Sequence, residues 1–191
     1  MSLKKIFGAA ATAFALVTGA ASAETISFQF QGKVTYGSPM AILIGTPVTG
    51  TFSYDTSTLP SGTDKGYASY QIPSPHLLSA VIGGHNISAQ NLQVSIWNHY
   101  KGNVEDMVNI SGGPAILDGT SFTNGSFGFV LSSGPRSNNA INSTDLPKSF
   151  DIRKFNADPS LTYGYLQSDG GPTGQLLQFS VDSIMVLRTS Q

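Results

Sequence analysis

The chain has no cysteine, and only 11% of its 191 residues are charged. Without a thiol it has no disulfide framework, thiolate nucleophile, lipobox cysteine or cysteine-ligated metal. Glutamate occurs only at Glu24 and Glu105. That leaves little for glycoside hydrolysis, which needs two carboxylates about 5 to 9.5 Å apart. Glu105 and the adjacent Asp106 would point to opposite faces of a strand. Basic residues form no run, so the chain lacks the electrostatic footprint of a nucleic-acid or anionic-membrane surface. A Gly-x-Ser-x-Gly nucleophile elbow is missing too, because Asn124-Gly125-Ser126-Phe127-Gly128 has the wrong spacing and stands at a strand entry. Beyond residue 23 there is no sustained apolar helical stripe and no repeat of fixed period.

At the N-terminus, Lys4 and Lys5 precede an apolar run over residues 6–19 and the small-x-small sequence Ala21-Ser22-Ala23. These are the three parts of a cleavable export signal. The run falls short of the about 20 apolar residues that a bilayer span requires. Residues 1–23 therefore read as a signal peptide, the protein as secreted or periplasmic, and residues 24–191 as one domain without a membrane span. Removing Lys4 and Lys5 leaves 8 basic and 11 acidic side chains, a net charge of −3. A domain of this size buries about 70% of its unfolded surface and needs no cross-link.

The mature chain alternates apolar and polar residues with a period of two, the mark of a half-buried strand. In residues 25–36, TISFQFQGKVTY, one parity holds Ile26, Phe28, Phe30, Val34 and Tyr36. In residues 48–55, VTGTFSYD, it holds Val48, Phe52 and Tyr54. Residues 40–44 read as a short strand or a sheltered loop, and residues 55–65 as a surface connection. An aromatic strand with Ala68, Tyr70 and Ile72 in phase ends at Pro73 and Pro75. The continuous apolar character of residues 77–82 predicts a strand covered on both faces, turned at Gly83-Gly84 into a hairpin. Leu92, Val94 and Ile96 form the next strand, followed by Val108 with Ile110, an Asp118-Gly119 turn, and Phe127, Phe129 and Leu131. Residues 132–148 are almost without apolar content and read as an exposed loop. Phe150, Ile152 and Phe155 return to the core, and Leu161, Tyr163 and Tyr165 make a strand. In residues 177–187 the apolar parity switches, which predicts a bulge near Asp182-Ser183. The pattern predicts an all-β fold of roughly ten to thirteen short strands, a two-sheet antiparallel β-sandwich of jelly-roll-like type.

The phrases FQFQGKVT, GTPVTGTFSYDTST, LLSAVIGG, LQVSIWN and LPKSFDIRKF, with the Leu/Phe-rich last strand, span nearly the whole mature chain. Together they resemble the secreted bacterial domains that often carry a PEP-CTERM sorting signal. The resemblance implies a β-sandwich on or outside the envelope of exopolysaccharide-producing bacteria. The sorting signal itself, Val-Pro-Glu-Pro followed by an apolar helix and a basic tail, has no counterpart in the closing residues Ile184-Met185-Val186-Leu187-Arg188-Thr189-Ser190-Gln191. The expectation is a soluble exported form.

Carbohydrate binding needs only exposed aromatic faces to stack on sugar rings, with amides or carboxylates to fix the hydroxyls. Trp97, Asn98, His99 and Tyr100 form the best local cluster. Trp97 is out of phase with Leu92, Val94 and Ile96 and so faces away from the core, to solvent or under a loop. Tyr67, Tyr163 and Tyr165 are further candidates, against the alternative that all these aromatics fill the core. Asp55, Asp64 and Asp118, with Asp145, Asp158 and Asp169, stand in Gly/Ser/Thr-rich loops. There, carboxylates and free carbonyls could supply the roughly 6 to 8 oxygens of a calcium site, although Asp also starts turns by bonding its own backbone. The spacing of His76, His85 and His99 offers no preformed zinc site, and no organic cofactor is implied. The expected role is a non-catalytic interaction with extracellular polysaccharide or a surface protein. A carbohydrate-active enzyme on the same architecture is the alternative, since fold does not fix function.

Overall fold

In antiparallel pairing a polar face needs only water, whereas an apolar face needs a second layer to cover it. The computed structural model describes residues 24–37, 42–99, 105–135, 139–156, 158–168 and 174–187, and the signal-peptide reading lies outside them. It has fourteen strands: β1 (Thr25–Gly37), β2 (Pro47–Asp55), β3 (Gly62–Asp64), β4 (Tyr67–Gln71), β5 (Leu78–Ile82), β6 (His85–Ala89), β7 (Gln93–Asn98), β8 (Asp106–Gly112), β9 (Ala115–Leu117), β10 (Thr120–Phe122), β11 (Ser126–Ser132), β12 (Tyr163–Gln167), β13 (Gln175–Phe179) and β14 (Ser183–Leu187). All the pairings are antiparallel. They form one open sheet in the order β10-β9-β6-β5-β2-β1-β13-β12-β11-β8-β7-β4-β3, with β14 also on β1. No helix among the described residues is long and apolar enough to cross a membrane.

β1 is the hinge of this sheet. Its first half pairs with β2 and β14, and its end pairs with β13. The strands beyond β2 thus form one layer and those beyond β13 the other. Successive hairpins alternate between layers: β1-β2, β5-β6 and β9-β10 build the first, and β3-β4, β7-β8 and β11-β12-β13 the second. Phe rings meet between the layers, with Phe30 and Phe52 lying 5.2 and 5.5 Å from Phe129. Within the first layer Phe28 stacks on Phe52 at 4.7 Å. The all-β, sandwich-like fold agrees with the period-two reading.

The hairpin turns follow their residues. Gly83 and Gly84 have φ of 59° and 88° and join Ile82 to His85; Asp118 and Gly119 have φ of 47° and 84°. Positive φ at both central positions matches the right-handed twist of the flanking strands and favours Gly and Asp.

Several sequence readings change. Tyr36 shares parity with the core residues but is exposed, because a bulge between Val34 and Tyr36 sets Val34 opposite Phe179 and Tyr36 opposite Gln178. The parity switch near Asp182-Ser183 is not a bulge within one strand: residues 180–182 carry the chain from β13 in one layer to β14 in the other. Leu77 and Val81 are about half exposed, so β5 is covered on one face only. Of the apolar piece at residues 40–44, Ile42 is buried while Leu43 and Ile44 project outward.

The segment read as an exposed loop is tied down at several points. Its Leu146 is buried. Two core tyrosines from opposite layers donate to its carbonyls, Tyr54 Oη to Pro147 O at 2.5 Å and Tyr70 Oη to Thr144 O at 2.8 Å. Burial pushes the Tyr54 phenol far up, which keeps it a donor. The buried Asp106 accepts from the amides of Ala140 and Ile141 at 2.9 and 3.3 Å. A loop poor in apolar side chains thus closes one end of the sandwich through polar contacts.

Candidate functional site

Strands β4, β7, β8, β11, β12 and β13 turn Ala68, Val94, Ile110, Phe129, Leu166 and Phe179 inward. The intervening residues form the outer face of the second layer, where strand pairing aligns them in rows. One row is Tyr67, Trp97, Met107 and Ser132. The next is Ser69, Ser95, Asn109, Val130 and Tyr163. The third is Gln71, Gln93, Ser111, Gly128, Tyr165 and Gln178, with Tyr36 beyond it. The exposed Asp64 on β3 stands opposite Tyr67 at one end of the first row, and Ser132 at its other end donates to Glu105, whereas the second and third rows contain no charged side chain.

The aromatic members form two pairs. Trp97 lies 5.2 Å from Tyr67, with the rings tilted by 43°; Tyr163 lies 6.1 Å from Tyr165, tilted by 51°. All four are partly exposed. The Tyr165 hydroxyl lies toward the Ser111 and Ser126 side chains. Register places Gly128 between Tyr165 and Ser111. A Cβ at Gly128 would press on Ile110 O and on Ser111 Cβ, so the position has room only for glycine. Burial of the ring pushes its phenol above the usual tyrosine range. Small side chains floor the centre of the face: Gln93 Nε2 donates to Ser69 Oγ at 2.8 Å, and Ser95 Oγ donates to the same oxygen at 3.4 Å. Asn109 Oδ1 is buried without a hydrogen-bond donor.

Of the predicted local cluster, Trp97 joins this face, while Asn98 and His99 lie at its rim and bond to each other at 2.5 Å; Tyr100 lies outside the described residues. Tyr67, Tyr163 and Tyr165 also belong to the face. Ser69, Asn109 and Tyr36 were missed, since only cross-strand register reveals that they share it.

Asp55, Asp64 and Asp118 do not converge. Among the described residues no group of three or more His, Cys, Asp or Glu could hold a metal ion. Asp118 takes His85 Nδ1 at 2.7 Å and the Asn86 amide at 2.8 Å, fastening its own turn to β6. Asp64 caps the Lys65 amide at 2.7 Å. Asp169 is not among the described residues.

Asp55 accepts from Thr25 Oγ1 and lies 3.4 Å from His76 Nε2, while His76 Nδ1 meets Ser53 Oγ at 2.9 Å. That chain has the members of a hydrolytic relay. Ser53, however, sits mid-strand opposite Ser27, not on the sharp turn that lifts a serine nucleophile clear of a sheet. Its clear effect is on stability. The Thr25 hydroxyl first, and then His76, hold the Asp55 carboxyl below its usual range. A depressed carboxyl contributes stability above its unfolded pKa of about 3.9 and loses that contribution as pH falls through its folded pKa. Asp118, Asp151 and Asp158 are shifted the same way. The thermal midpoint should therefore stay level from neutrality to about pH 5 and fall below about pH 4. In Asp55→Asn the acid-side fall should be shallower; an unchanged profile would show that Asp55 is not one of the groups responsible.

No family model matches the chain, nor does any curated protein or solved structure.

Proposed function

We propose that the protein is an exported, non-catalytic β-sandwich that binds polysaccharide at the cell surface or in the extracellular matrix, through the outer face of its second layer. The observation that carries this reading is that Tyr67 with Trp97 and Tyr163 with Tyr165 form two partly exposed aromatic pairs on one face of the sheet. Exposed aromatic rings are what pyranose faces stack on. Ser, Asn and Gln between them supply donors and acceptors for sugar hydroxyls. The nearby carboxylates have partners within the protein: Glu105 accepts from Ser132 Oγ, Asp64 from the Lys65 amide, and Asp106 holds the end loop. This favours binding over hydrolysis. The resemblance to PEP-CTERM-associated domains fits such a location.

The test is pull-down of the mature chain on insoluble polysaccharides, beside Trp97→Ala. Retention is expected for the native chain. An aromatic contact is worth about 1 to 1.5 kcal/mol, so the variant should bind roughly tenfold more weakly. Its melting point should move little, because Trp97 is outside the core. Failure of every polymer to retain the native chain overturns the reading.

A further inference from the structure

On the side of β1, the first layer ends in an uncovered strand. We propose that this strand, β14, pairs with β14 of a second copy of the chain, antiparallel and about a two-fold axis through Met185, so that the protein forms a symmetric dimer. The proposal is independent of the polysaccharide reading, whose face belongs to the other layer.

Three observations point there. First, among the described residues β14 pairs with β1 alone, so the backbone groups along its other side have no strand to bond. Sheet edges are ordinarily guarded by shortness, charge or proline. The other two ends of the sheet follow that rule: β10 and β3 have three residues each, and β3 carries Asp64. β14 has five, with neither charge nor proline.

Second, the core runs out to this edge uncovered. Val186 stands opposite the fully buried Phe28 and shares the inward face of the buried Ile184, yet it is 45% exposed. On the other face Met185 and Leu187 are 47% and 38% exposed. A strand laid along β14 would cover both faces at once and bond the free backbone groups as well.

Third, the sequence around β14 is complementary to itself in one register. Asp182 stands three residues before Met185, and Arg188, which lies outside the described residues, stands three after it. Antiparallel pairing centred on Met185 sets Ile184 opposite Val186 of the second copy, Ser183 opposite Leu187 and Asp182 opposite Arg188, each twice by symmetry. A slip of two residues would set Arg188 against Ile184 or Asp182 against Val186, and parallel in-register pairing would set like charges side by side. The centred register also keeps both inward faces on the same side, so the two first layers continue as one sheet. Such a contact closes at two copies, which spares an apolar edge from open-ended growth.

The test is analytical ultracentrifugation of the mature chain from about 1 µM to about 500 µM, a span that brackets the affinity of a small interface. A reversible dimer is expected, half-assembled at about 10 to 100 µM. Val186→Lys, which places a charge on the edge, should weaken it roughly tenfold or more. The melting point of the dilute variant should stay near the native value, since Val186 is half exposed. Asp182→Arg should weaken the dimer by facing like charges, and adding Arg188→Asp should restore it. Because the chain has no cysteine of its own, single-cysteine variants report the contact directly. Met185→Cys should be joined to its counterpart by a short bismaleimide, whereas Thr120→Cys, on the far edge of the same layer, should not. Monomer at every concentration, growth beyond two copies, a dimer indifferent to Val186→Lys, no rescue by the second charge change, or equal cross-linking at the two edges overturns the proposal.

Discussion

Gly32→Ala should be the most damaging single-methyl change in the chain, lowering the melting point by about 10 °C or more or leaving no soluble protein. Gly32 lies where β1 passes from one layer toward the other, and a Cβ there would sit well inside contact distance of the Ser180 carbonyl oxygen. That carbonyl cannot retreat freely. The Ser180 amide donates to Lys33 O at 2.8 Å, the Lys33 amide donates to Ser180 Oγ at 3.0 Å, and the Asp182 amide donates to Gln31 O at 2.8 Å. The overlap is therefore with pinned backbone, and relieving it means breaking the crossing from β13 to β14. Overpacking of a firm site costs about 1 to 3 kcal/mol and sometimes more. At about 2 to 4 °C per kcal/mol for a chain of this size, the upper end gives the stated shift. Gly62→Ala in edge strand β3 is the control: a Cβ there meets nothing within 4 Å, so the change should stay within about 0.5 kcal/mol. Equal melting points for the two variants would show that the β1 crossing is not tightly fixed.

Asp106→Ala should destabilise the fold by about 3 kcal/mol or more and release the end loop. Asp106 is fully buried, and its Oδ2 is the acceptor for two loop amides. Hydrogen bonds to a charged acceptor contribute about 1.5 to 3 kcal/mol each, and removing the acceptor strands both donors. Its other oxygen has no hydrogen-bond partner, and His99 Nδ1 stands 3.8 Å away. Asp106→Asn, which retains one carbonyl acceptor, should fall between the two. Thermal melts measure the loss, and limited proteolysis reports the loop, with cleavage within residues 139–148 expected only in the alanine variant. A melting point within about 2 °C of the native value would mean that the tyrosine contacts hold the loop without Asp106.

Local chemistry carried most of the strand reading. Phe28, Phe30, Phe52 and Tyr54 are core residues because a pleated strand turns alternate side chains to one side, and that rule needs no knowledge of the partner strand. Gly83-Gly84 and Asp118-Gly119 were equally readable, since few residues accept positive φ. Trp97 was correctly set apart from its core-facing neighbours by parity alone. Tyr36 misled the same rule, because its face depends on a bulge against a strand more than a hundred residues away in sequence. The loop over residues 132–148 misled it as well: it is anchored by hydrogen bonds from Tyr54 and Tyr70 and to Asp106, contacts that leave no apolar signature.

The candidate site divides the same way. That Tyr67, Trp97, Tyr163 and Tyr165 alternate with core residues is written in the chain. That they share one face with Ser69, Asn109 and Gly128, with Asp64 opposite Tyr67 and far from forming a site with Asp55 and Asp118, follows only from which strands pair and in what register. Period-two patterning decides which way a side chain points from its own strand; long-range hydrogen bonding between strands decides what stands beside it.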